Sequence, residues 1–178
     1  MRLILGLLSL LVLADPRSAG AQAFVLNGAA GPTLVDTGHS LAVGGGFSPA
    51  SHLDVLVDFE RTHLSSRLES DGRGGFSGFR GGTLTLAAAE VRVSVRGRDR
   101  VGPYGLAGFA AGVSRPTVNQ LYPDPVTNNV RALFFGGGVQ VPIRQGFGLF
   151  ADGRMMLGEE AGELLAVAPI RAGIAVRF

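Results

Sequence analysis

The 178-residue chain contains no cysteine, no tryptophan and no lysine, and it has only two tyrosines. Without cysteine there is no disulfide, no zinc–thiolate centre and no thiol nucleophile. Without lysine the sixteen basic residues are all arginine. They are not clustered among aromatics, so the basic patch of a nucleic-acid binder is missing. Long apolar runs are scarce as well. The one that exists, "LILGLLSLLVLA" from Leu3 to Ala14, falls short of the roughly 20 residues a membrane-spanning helix needs. Beyond it, no segment carries a convincing 3.6-residue apolar stripe, which argues against helix.

The N-terminus instead reads as an export signal. Arg2 gives a basic start and Leu3 to Ala14 an apolar stretch. Asp15-Pro16-Arg17-Ser18 is a polar break, and Ala21-Gln22-Ala23 is a small-x-small site. That order predicts a Sec-type signal peptide over residues 1–23 and one mature domain over 24–178. Cleavage after Ala21 is an alternative, and the flanks argue against a retained anchor. Losing Arg2, Asp15 and Arg17 lowers the formal charge of +2 by one, so the mature domain is close to neutral.

Glycine is abundant, at 28 positions, and sits inside β-type segments such as "LAVGGGF" and "FFGGGVQV". Glycine within strands marks tight curvature or close backbone approach, and small closed barrels need both. Alternation and turn signals predict eight strands: Phe24–Ala30, His39–Phe47, His52–Thr62, Thr83–Arg96, Val101–Ser114, Val130–Val141, Gly146–Leu157 and Leu164–Phe178. Short and longer connections alternate between them, with Leu64–Gly82 and Arg115–Asn129 as long polar loops. An even set of antiparallel strands with short turns on one side is the outer-membrane barrel pattern, and a tilted spanning strand needs about 9–11 residues. The expected fold is therefore all-β, an eight-stranded antiparallel transmembrane β-barrel.

Period-two alternation then assigns the faces. Leu53, Val55, Val57 and Phe59 alternate with Asp54, Asp58 and Glu60. Val91, Val93 and Val95 alternate with Glu90, Arg92, Ser94 and Arg96, and Phe147, Leu149, Ala151, Met155 and Leu157 with Asp152 and Arg154. The last strand, "RAGIAVRF", sets Ala172, Ile174, Val176 and Phe178 against Arg171 and Arg177. In a soluble sandwich the polar rows would be the wet outer face. In a barrel they point inward, and Asp54, Asp58, Glu60, Glu90 and Asp152 meet Arg92, Arg96, Arg154, Arg171 and Arg177. Arginine–carboxylate pairing can satisfy such a buried set.

The signal peptide, the "AQAF" opening strand, "GPYGLAGFAAG", "FADGR" and the terminal "IAVRF" give the chain its resemblance to a family. It resembles the small eight-stranded outer-membrane barrels, the OmpA/OmpX-like barrel domain of Gram-negative bacteria, over the whole mature chain. The resemblance implies a place in the bacterial outer membrane among lipid and lipopolysaccharide. It also implies that Ile174, Val176 and Phe178 form the terminal signal read by the barrel-assembly machinery. One departure stands out: with no tryptophan, the aromatic girdles must rely on residues such as Phe47, Phe59, Phe147 and Phe178.

Some barrels of this size modify lipid A, so "THLSS" needs weighing. His63 and Ser65 have H-x-S spacing with Glu69 nearby, a possible base, nucleophile and acid. The deacylases of this kind carry their pair toward the C-terminal half, and a polar rim residue explains His63 as well. His39 and His52 read as edge residues, and Glu159, Glu160 and Glu163 as a solvated acidic loop. "DGRGGFSGFRGG" lacks the Lys-Ser/Thr and helix of a phosphate loop. The sequence thus points to no cofactor, no metal site and a monomer. The expected role is a non-enzymatic envelope-integrity or surface-interaction barrel with a plugged lumen. A lipid A-modifying enzyme and a narrow channel are the alternatives.

Overall fold

The computed structural model describes residues 23–34, 37–65, 68–70, 76–79, 81–117, 126–160 and 162–178. The predicted signal peptide falls in residues 1–22 and the start of the first strand, so its body lies outside the described residues. The wall begins with β1 (Ala23–Thr33), β2 (Gly38–Ala50) and β3 (Leu53–Leu64). A small hairpin, β4 (Leu68–Ser70) with β5 (Phe76–Phe79), stands apart in its own sheet. The wall resumes with β6 (Gly82–Ser94), β7 (Gly102–Pro116), β8 (Asn128–Arg144) and β9 (Phe147–Glu160). It ends with β10 (Glu163–Val167) and β11 (Ile170–Arg177), which share one stave.

Every wall pairing is antiparallel, and β11 pairs back onto β1, from Val25↔Arg177 to Ala30↔Ala172. The sheet therefore closes into an eight-stave barrel. Closure also fixes the end of the chain, since Phe178 N donates to Phe24 O at 3.0 Å. Short turns at 51–52, 95–101 and 145–146 share one end with residues 23 and 178. Gly97 (φ 77°) and Gly146 (φ 75°) sit in these turns in the left-handed region that other residues avoid. The opposite end carries the two long connections, 65–81 and 117–127, together with the shorter 34–37 and 161–162.

Three sequence expectations need correcting. The last stave is not one strand. Proline at 169 brings no N–H, so the ladder breaks there; Leu34 N bonds Ala168 O and Arg154 N bonds Pro169 O instead. The Leu64–Gly82 loop holds the β4–β5 hairpin. The wall strands also run past their predicted limits toward the loops, β1 to Thr33, β8 from Asn128 and β9 to Glu160. Apolar alternation marks only the lipid-facing stretch, whereas the hydrogen-bonded ladder continues beyond it.

Polarity is inverted relative to a soluble protein. Leu133 is 70% exposed, and Leu41, Val43, Val57, Phe59, Phe109, Phe135 and Ile174 are also exposed. Arg171 is only 2% exposed, and Asp58, Glu60, Glu90, Arg92, Asp152 and Arg154 are buried with it. Such a surface is stable only where hydrocarbon, not water, lies outside.

Candidate functional site

The lumen is where the polar chemistry collects. On β3 the inward row is Asp54, Leu56, Asp58, Glu60 and Thr62, while β6 turns Glu90 and Arg92 inward. Across the barrel β9 contributes Asp152 and Arg154, and β11 contributes Arg171. Register pairs some of them directly, as in Arg171↔Asp152 and Asp54↔Arg92. Small residues leave room for this filling. A Cβ at Gly44 would run into the Asp58 side chain, and one at Gly108 would sit 2.5 Å from Phe134 Cζ.

Arg171 is the hub. Its Nε and Nη2 grip Asp152 Oδ1 and Oδ2 at 2.9 and 3.1 Å. Its guanidinium also lies 3.9 Å from Glu60 and 4.0 Å from Asp58 and Glu90. Arg92 donates to Glu90 Oε1 at 2.9 Å and is flanked by the Tyr104 and Phe150 rings at 4.6 and 4.9 Å. Arg154 pairs with Glu60, reaches Glu90 Oε2 at 3.6 Å and lies over Phe134. Nearer the short turns, Arg177 Nη2 approaches Asp54 Oδ2 at 3.5 Å.

Carboxylates outnumber arginines here, and neutral donors make up the difference. Asp58 accepts from Asn27, Glu60 from Ser40 and Thr62, Asp54 from Ser48, and Asp152 from the Tyr104 hydroxyl at 2.9 Å. These donors are part of the network that sequence reasoning missed. Their signal was phase: Tyr104, Ser40 and Thr62 lie an even number of residues from inward neighbours on their own strands.

Two placements differ from the sequence reading. Arg96 is not in the lumen. β6 ends at Ser94, so alternation no longer governs position 96, and its side chain is exposed in the turn. Glu160, read as part of a solvated loop, is 6% exposed and accepts from Ser114 and Asn128. It keeps the even phase of Asp152 and Arg154 because β9 extends that far. Above the charged set, toward the loops, the inward residues become Leu84, Leu86, Val130, Met156, Leu165 and Val167.

The other candidates lie outside the lumen. His63 faces outward near the loop end of β3, and Ser65 is exposed beyond it, its N–H bonded to Thr37 O. Glu69 lies in β4, and its side chain is outside the described residues. Ile174, Val176 and Phe178 form the outward row of β11 and the residue after it, with Ile174 and Phe178 exposed.

Among solved structures, Neisserial surface protein A matches with a TM-score of 0.67 at 17% identity, over 88% of this chain and 97% of that one. The N-terminal β-barrel domain of Pseudomonas aeruginosa OprF matches with a TM-score of 0.63 at 11% identity, again over 88% and 97%. The chain has the fold of the small outer-membrane β-barrels. Ail of Yersinia pestis, in a complex with the heparin analogue sucrose octasulfate, gives a TM-score of 0.52 at 16% identity over 88% and 98%. No family model and no curated protein sequence matches the chain.

Proposed function

We propose that this outer-membrane-type barrel is a non-enzymatic envelope protein of the bacterial outer membrane, acting through its wall and loops rather than through its interior. The observation that carries this is the continuous side-chain filling from Asp54 and Arg177, through Arg171 and Asp152, to Leu84 and Leu165. A small barrel filled in this way has no room for a solute path. Two of the matched proteins are named for the surface or for attachment, which favours loop display alongside a part in envelope integrity. The partners are lipid and lipopolysaccharide, and the chain acts as a monomer.

The experiment is a planar-bilayer recording combined with a lipid A mass profile of cells with and without the protein. Flat current and an unchanged profile are expected. Steady single-channel steps would overturn the plugged lumen. Loss of an acyl chain that depends on His63 and Ser65 would replace this reading with a lipid A deacylase. On the same proposal, export uses the signal peptide of residues 1–23, and Ile174, Val176 and Phe178 are the segment read by the assembly machinery. Deleting Phe178 should lower outer-membrane insertion in cells far more than it lowers the melt of refolded protein. Equal losses in the two assays would reduce Phe178 to packing.

A further inference from the structure

The outer wall carries a histidine pair that neither the filled lumen nor the apolar belt accounts for. His39 on β2 and His63 on β3 are direct register partners. Both are exposed on the outer face, and their ring centroids are 5.3 Å apart with planes tilted by 42°. The chain has three histidines in all. The third, His52, sits at the other end of β3 with Nδ1 2.8 Å from Ser94 O.

We propose that His39 and His63 form a two-imidazole site for a borderline divalent cation, Cu²⁺ or Zn²⁺, on the loop-side rim of the barrel. Imidazole suits these ions. For tetrahedral Zn²⁺, metal–nitrogen bonds of about 2.0–2.1 Å place two ring centroids roughly 5 Å apart, the spacing found here, and tetragonal Cu²⁺ needs the rings only slightly closer. Directly opposed residues of an antiparallel pair hold their Cβ atoms about 4.5–5.5 Å apart. The continuous β2–β3 ladder thus supplies the preorganisation, with no loop to order. Among the described residues no third histidine or carboxylate completes the set, so water or an anionic oxygen fills the remaining positions. Arg61, two residues along the same exposed face, weakens the site for a bare dication and favours one carrying an anionic ligand. Bound metal would staple β2 to β3 where the apolar belt gives way to polar side chains.

The test is a Cu²⁺ titration of the untagged full chain folded in detergent, read by electron paramagnetic resonance. One tight Cu²⁺ per barrel with nitrogen splitting from two imidazoles is expected. His39→Ala and His63→Ala should each leave a one-nitrogen signal and weaken binding by about tenfold or more, the gain from a second ligand held in place. His52→Ala should change neither. Heat-modifiable gel mobility verifies that each variant is folded, and His39→Asn and His63→Asn replace any that is not. A two-nitrogen signal surviving in the His39→Ala/His63→Ala double variant would overturn the proposal. So would wild-type binding no tighter than that of the double variant, which would leave the pair as ring packing at the interface.

Discussion

Toward the short turns and through mid-barrel, the inward rows of β3, β6, β9 and β11 carry Asp54, Asp58, Glu90, Arg92, Asp152, Arg154 and Arg171. Toward the loops, the inward rows of β6, β8, β9 and β10 carry Leu84, Leu86, Val130, Met156, Leu165 and Val167. The same strands build both halves, and each half is held by a different force. The charged half depends on pairing, because an unpartnered buried charge is costly. The apolar half depends on packing, and its buried carboxylate, Glu160, is held by the neutral donors Ser114 and Asn128. Each half also serves the other. The apolar layer keeps water off the ion pairs from the loop side, where a low dielectric strengthens them. On the turn side Gln140 closes the mouth by donating to Gly97 O at 2.8 Å.

The sharpest way to break this comparison is Arg171→Leu. It strips the bidentate partner from Asp152 and removes the nearest cation from Asp58. Breaking a buried pair of this kind costs about 3–5 kcal/mol. Arg171→Leu/Asp152→Leu should recover much of that loss, since the orphaned charge goes too. Arg96→Leu, an arginine of the same predicted row that ends exposed in the turn, should stay within about 0.5 kcal/mol of wild type. Urea midpoints in detergent, read by gel mobility, compare the three. If Arg171→Leu moves the midpoint no further than Arg96→Leu, ion pairing does not hold the charged half.

The charged half was the more legible in sequence, for a physical reason. Asp54, Asp58, Glu90, Arg92, Asp152 and Arg154 alternate with apolar residues, so polarity and phase agree and either one finds the face. In "TLTLAAA" they disagree. Leu84 and Leu86 point inward while Thr83 and Thr85 point outward, because they keep the phase set by Glu90 further along β6. Polarity read alone puts those leucines in lipid. Arg96 is the converse error, in which alternation was carried past the residue where the ladder stops. Glu160 was missed because β9 outlasts its apolar signal. The His39–His63 pairing needs a register between β2 and β3, which no property of either strand alone supplies. The break at Pro169 was visible as a proline, yet the stave was still read as continuous.

The second prediction concerns the apolar half and is the smaller. Leu165 is fully buried against the loop-side layer, and Leu165→Ala removes side-chain volume without touching a charge. Large-to-small changes in a core cost about 2–5 kcal/mol, and the value depends on how far the site can collapse. Here collapse is comparatively easy. Among the described residues β10 ladders to β9, and its stave meets β1 through the Thr33↔Pro169 bridge and the Leu34 N to Ala168 O bond. β10 is only five residues long and the ladder breaks just beyond it at Pro169, so the segment can settle inward and the expected loss is about 2–3 kcal/mol, near the lower end of that range. The distinguishing feature is rescue. Removing a carboxylate offsets Arg171→Leu but should do nothing for Leu165→Ala, whereas Val167→Leu should refill part of the cavity beside it. Urea midpoints for Leu165→Ala with Asp152→Leu and with Val167→Leu make the comparison. If the carboxylate change restores the Leu165→Ala midpoint, the two halves are one coupled network, and the division between pairing and packing fails.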